Sequence, residues 1–154
     1  MRSRILVLGI LTVCLIAPFA DLKAHCEIPC GIYNDELRIT LLKEHCDTIE
    51  KSMKMIAELS AADEINYNQL VRWVNNKEDH ADELQHIVTQ YFVTQRVKPV
   101  AGDDESAREK YISQLELLHR MLVSAMKAKQ TIDAAHVGEL RRLIEEFAAL
   151  YFSK

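Results

Sequence analysis

Residues that break helices are scarce in this 154-residue sequence, with only four glycines and three prolines. Nothing alternates apolar with polar for long enough to make a strand, which excludes a sheet protein. There is no low-complexity tract and no internal repeat, so flexible linkers and repeat arrays are excluded too. A cationic surplus is also missing: 19 Lys and Arg stand against 23 Asp and Glu, a formal charge of −4. An acidic chain is poorly suited to nucleic acid or an anionic membrane surface. The length allows one domain and no second large core.

Cysteine is sparse and unevenly placed, at Cys14, Cys26, Cys30 and Cys46. Cys14 falls in an apolar leader, and the three that follow are an odd number, which a pure disulfide scaffold does not explain. At least one thiol therefore has another job. Cys46 sits among apolar positions of a helical pattern and reads as a small buried residue.

What is present begins with that leader. Arg2 and Arg4 precede an apolar run from Ile5 to Ala20, interrupted by Pro18. Asp21-Leu22-Lys23-Ala24 then ends on a small residue suited to signal peptidase, although Leu22 is larger than the usual residue three before a cut. Residues 1–24 are expected to be a signal peptide or leader that is removed. A membrane anchor is the other reading, but the run is short for a bilayer-spanning helix, which needs about 20 residues. Val13 before Cys14 is a poor match to a lipoprotein cleavage box. Losing Arg2, Arg4 and Lys23 together with Asp21 takes the formal charge to −6. An export leader predicts a periplasmic or extracellular protein with no membrane contact after processing.

Residues 34–154 read as four amphipathic helices. The first runs from about Asp35 to Leu59, with Leu41, Leu42, His45, Ile49, Met53 and Ile56 at three- and four-residue steps. Asn66 and Gln69 have the spacing of a capping box opening the second helix. Its stripe is Val71, Val74, Ala81, Leu84, Val88 and Tyr91, and it should end before Pro99. Pro99 to Ser106 is a loop. The third helix carries Tyr111, Ile112, Leu115, Leu118, Leu122 and Ala125. Thr131 or Asp133 opens the fourth, with Leu140, Leu143, Ile144, Phe147 and Tyr151. The expected fold class is all-α, a four-helix bundle.

Residues 25–33, His25-Cys26-Glu27-Ile28-Pro29-Cys30-Gly31-Ile32-Tyr33, hold the chemistry. In a chain beginning at His25, the terminal amine and the Cys26 amide nitrogen close a five-membered ring on a metal. The same amide and the Cys26 sulfur close another. Cys30 supplies a fourth corner, where Pro29 turns the chain and Gly31 relieves crowding. Planar two-nitrogen, two-sulfur sets suit Ni(II) or Cu(II) rather than zinc, and the His25 imidazole can approach along the axis. Two thiolates and a deprotonated amide bring Ni(III) within reach, which plain aqueous nickel does not achieve. The metal itself holds bound thiols as thiolates.

This run resembles the hook of nickel-containing superoxide dismutases, with every fixed position of His25-Cys-x-x-Pro-Cys-Gly-x-Tyr33 filled. The stretches Leu70-Val-Arg-Trp-Val and Gln90-Tyr-Phe-Val-Thr-Gln-Arg96 are also similar to that family. The resemblance implies a homohexamer of four-helix bundles, one nickel per subunit cycling between Ni(II) and Ni(III), and conversion of superoxide to dioxygen and hydrogen peroxide. It makes His25, Cys26 and Cys30 the metal ligands. Tyr33 would stand over the open face, ordering substrate or water, and Glu27 occupies a position often filled by an acid. Family members also rely on a peptidase that exposes the histidine, usually in the cytoplasm. The export-like leader of this chain departs from that pattern. Because the net charge repels superoxide, local cations should offset it, with Lys43 and Lys51 as candidates.

Three other readings remain at this stage. Cys26 and Cys30 could form a short-loop disulfide. The same ligands could serve a nickel carrier or storage protein without turnover. The pairs Glu83 with His86 and Glu116 with His119, joined by Glu44 or Glu50 and Glu145 or Glu146, could build a di-metal carboxylate site. His45 is expected to be a core residue, His80 and His136 surface or helix-end residues, and Trp73 and the tyrosines mostly packing groups.

Overall fold

The computed structural model describes residues 29–153. Its elements are α1 (Asp35–Ser60), α2 (Tyr67–His86) continued by a π-helical segment (Ile87–Arg96), α3 (Glu105–Gln130) and α4 (Ala135–Phe152). No strand occurs among the described residues. Each helix packs on its neighbours in the chain, and α1 also packs on α4, which closes the four into a bundle. Among the described residues no helix is long and apolar enough to cross a membrane. The leader lies outside them, so the anchor reading concerns residues whose structure is not described.

Short polar side chains start the helices. Asn34 Oδ1 accepts from Leu37 N at 3.0 Å and Asn66 Oδ1 from Gln69 N at 3.1 Å. Asp104 Oδ1 accepts from Ala107 N at 3.0 Å. Each satisfies one of the N–H groups that a helix start leaves without a partner. Asp133 performs the same service just ahead of α4, accepting from Ala135 N at 2.9 Å. Asn66 thus caps α2 as its spacing predicts.

The core is made by the expected stripes, with two shifts. Leu42, Ile49, Met53, Leu84, Val88, Leu118, Leu140, Leu143, Ile144 and Phe147 are fully buried. Val71 and Val74, expected in the stripe of α2, are instead exposed at 56% and 37%, in line with Tyr67 at 69%. On α3, Ile112 is exposed and the buried face runs through Leu118, Met121, Ala125 and Ala128. A stripe read from one helix shows which face is apolar, but not how much of its length a neighbour covers.

The α3–α4 junction has a buried cation. Lys77 on α2 is 4% exposed, and its Nζ donates to Ala128 O at 3.0 Å, to Lys129 O and to Thr131 O at 3.3 Å. Those carbonyls end α3 and would otherwise lack partners. A positive charge there also complements the helix dipole.

Candidate metal centre

The hook joins the bundle through a tight turn. Ile32 N–H donates to Pro29 O at 3.0 Å, and the two central residues have positive φ, 24° at Cys30 and 87° at Gly31. Glycine takes that conformation without cost, and nothing lies within 4 Å of where a Gly31 Cβ would stand. Backbone conformation, not space, is therefore what requires glycine at this position. Cys30 is placed at the turn with its side chain exposed.

Tyr33 follows at once and is held on two sides. Its ring meets Tyr91 edge-on, with centroids 5.9 Å apart, and the Arg96 guanidinium carbon lies 4.3 Å from its centroid. Both contacts are of kinds that carry attraction beyond simple burial. Asn34 N–H donates to the Tyr91 hydroxyl at 2.9 Å, which ties the chain just after Tyr33 to the π-helical segment.

Asp35, the first residue of α1, collects the partners. It accepts from Arg96 Nε at 2.8 Å and Arg96 Nη2 at 2.6 Å, from Tyr91 at 2.6 Å and from Tyr151 at 2.9 Å. Burial alone would raise this carboxyl, but the bonds from Arg96, Tyr91 and Tyr151 hold it below the ordinary carboxylate range. Tyr91 is pushed up to about 12, first by burial and then by the Asp35 bond and charge. The Tyr91 hydroxyl therefore stays a phenol and spends its proton on Asp35.

The π-helical geometry contributes directly to this cluster. Five residues complete roughly one turn of an i→i+5 helix, so Tyr91 and Arg96 share a face. On an α-helix they would stand about 140° apart. Behind Tyr91, the rings of Phe92, Phe147 and Tyr151 pack with centroids 5.0 to 5.6 Å apart and anchor the cluster in the core.

Of the expected site residues, Cys30 and Tyr33 are described and lie at one end of the bundle's first helix, while His25 and Cys26 fall outside the described residues. Asp35, Arg96, Tyr151 and Arg38 belong to the same neighbourhood and were not expected there, whereas Tyr91 was a candidate to approach the hook of a neighbouring subunit. Tyr91 packs against its own chain's Tyr33, and two tyrosines expected to be packing groups turn out to be donors to Asp35. Lys43 and Lys51 are not the cations beside it. Lys43 faces Glu145 at 3.8 Å, and Lys51 lies over the Trp73 ring. Only a faint signal existed in the sequence, an aspartate right after a helix cap, because its partners lie 56 to 116 positions away.

The di-metal carboxylate reading is not assembled. Among the described residues no group of three or more His, Cys, Asp and Glu side chains could hold a metal. Glu50 pairs with Arg141, Glu116 with Arg120, Glu145 with Lys43 and Glu146 with Arg142, while His86 and His119 are exposed. His45 is half-buried as expected, but His80 is its partner rather than a surface residue, with the two Nδ1 atoms 2.9 Å apart. Cys46 is fully buried, and burial pushes its thiol up to about 12, which leaves it inert.

The described residues thus form a helical bundle with a cysteine-bearing turn ahead of its first helix, fixed by a tyrosine and ion-pair cluster. The model of the nickel-containing superoxide dismutase family matches residues 20–154, nearly the whole chain, and the chain belongs to that family. No significantly similar curated protein or solved structure was found. The protein is thus an oxidoreductase acting on superoxide, and its cofactor is nickel. The described part of the hook fits that metal, because Cys30 is an exposed residue on the turn and carries sulfur, a donor type that suits nickel.

Proposed function

We propose that the protein disproportionates superoxide at a nickel held by His25, Cys26 and Cys30, in a chain that begins at His25 after residues 1–24 are removed. The observation that carries this reading is the placement of Cys30 on an exposed turn, three residues ahead of a tyrosine locked by Arg96 and Tyr91. Nickel, when bound there, would supply the one-electron chemistry, between its +3 and +2 states, that oxidising one superoxide ion to dioxygen and reducing another, with two protons, to hydrogen peroxide requires. His25 binds through its amine and imidazole, Cys26 through its amide nitrogen and sulfur, and Cys30 through its sulfur. Tyr33, 39% exposed, is the phenol open to substrate or water, since the Tyr91 proton is committed to Asp35. The Asp35 cluster keeps the base of the hook in register with the bundle.

The same reading takes residues 1–24 as an export signal, with a peptidase producing the amine and the mature protein lying outside the cytoplasm. It also takes the subunits as assembled, six by the family pattern. Exposed Tyr67, Val71 and Val74, spaced along one face of α2, support burial against another copy.

The test compares nickel-loaded protein beginning at His25 with an otherwise identical chain beginning at Ala24. Fast superoxide consumption by the His25 form alone is expected. Equal activity in both would show that the amine is dispensable and the ligand set wrong. Nickel bound without turnover in either would mark a carrier or storage protein.

A further inference from the structure

Two arginines flank the Tyr33–Tyr91 pair, and their surroundings give them different capacities. Arg96 forms a two-pronged ion pair with Asp35 at 2.6 and 2.8 Å, so its charge is cancelled locally. Arg38, one turn into α1, has its guanidinium carbon 4.9 Å from the Tyr91 centroid. Among the described residues Arg38 makes no ion pair, and its Nε is shut off from solvent without a hydrogen-bond partner. Asp35, the acidic residue of this cluster, already receives four hydrogen bonds from other groups. A guanidinium is always charged, carries five donors and is weakly hydrated. Among the described residues Arg38 is therefore a cation without an ion-pair partner, beside the tyrosine that stands next to the hook, in a protein whose net charge is negative.

We propose that Arg38 is the anion-attracting residue of the site: it draws a small monoanion, superoxide in the reaction, to the Tyr33–Tyr91 face, while Arg96 acts only to position Tyr33. The identity of the anion rests on the dismutase reading. The local anion site does not, because it is a property of Arg38 and its neighbours with or without nickel.

Physical reasoning separates the two arginines further. An overall negative charge lowers the encounter rate with an anion, and salt screens that repulsion, so a site with no local cation should speed up as salt rises. A nearby uncompensated cation reverses the sign, because screening then removes an attraction. The ionic-strength slope of the rate thus reports the local charge independently of how well the protein is folded.

The experiment measures kcat/KM of nickel-loaded protein beginning at His25 across ionic strength, for the wild type, Arg38→Gln and Arg38→Lys. It also measures chloride-35 line broadening on the nickel-free full chain of each. The wild-type rate should fall with salt. Arg38→Gln should lower the low-salt rate roughly three- to tenfold and flatten or invert the slope, with excess chloride broadening lost. Arg38→Lys, which keeps the charge, should restore most of both. A wild-type salt slope in Arg38→Gln, or an Arg38→Lys protein no better than Arg38→Gln by either readout, would overturn the proposal and leave Arg38 a packing residue. Arg38-dependent chloride broadening in a protein that consumes no superoxide would uphold the anion site and overturn the dismutase reading.

Discussion

Replacing Asp35 with Asn is the sharpest test of how the hook is anchored. Asp35 receives two hydrogen bonds from Arg96 and one each from Tyr91 and Tyr151, and its side chain is only 16% exposed. Asparagine keeps the shape and one acceptor oxygen, but its amide nitrogen then faces donors, and the ion pair with Arg96 is gone. Hydrogen bonds to charged groups contribute about 1.5 kcal/mol or more each, so losing two predicts roughly 3 kcal/mol of destabilisation. For a domain of this size that lowers the unfolding midpoint by about 10 °C. The assay is thermal unfolding by circular dichroism at one fixed protein concentration, since any subunit assembly makes the midpoint concentration-dependent. The pH dependence gives a second reading. Because the folded carboxyl lies below 3.8, its contribution is complete above 3.8 and is lost as the pH falls through that value toward the folded one. The difference between wild type and Asp35→Asn should therefore narrow below pH 3.8. A loss under about 1 kcal/mol at neutral pH, well short of a broken charged pair, would refute the clamp, as would a difference that does not narrow in acid.

The His45–His80 pair should make the protein acid-sensitive. With the two Nδ1 atoms 2.9 Å apart, one must donate and the other accept, so two protons cannot both face the gap. Burial and then the His80 charge lower the His45 pKa below 6.5, while Glu83 and Glu44 pull the other way. Stability is thus complete above about pH 6.5 and lost as the pH falls toward the folded value, and the midpoint of His45→Gln should be flatter over that range. A wild-type midpoint that is equally flat would contradict this. Lys77→Met should cost about 2 kcal/mol in urea unfolding at unchanged m, because the α3 carbonyls lose their buried donor. A cost within error of zero would mean that water replaces the ammonium.

Periodicity and composition were enough for the bundle, because each amphipathic stripe is a local property and few glycines or prolines interrupt it. The cap at Asn66 was legible for the same reason, since the capping oxygen and the N–H it satisfies are three residues apart. The proposed hook is local in the same sense: its donors lie within six residues, His25 to Cys30, so their spacing is a property of the sequence. Tertiary structure alone decided what surrounds it. Asp35 meets Arg96 and Tyr151 only because α1, the π-helical segment and the end of α4 come together, and local spacing cannot report which helix ends converge. It also decided that Arg38, and not Lys43 or Lys51, stands at the tyrosine pair without an ion pair among the described residues, since all three are similar charges on one helix and differ only in what the fold places against them.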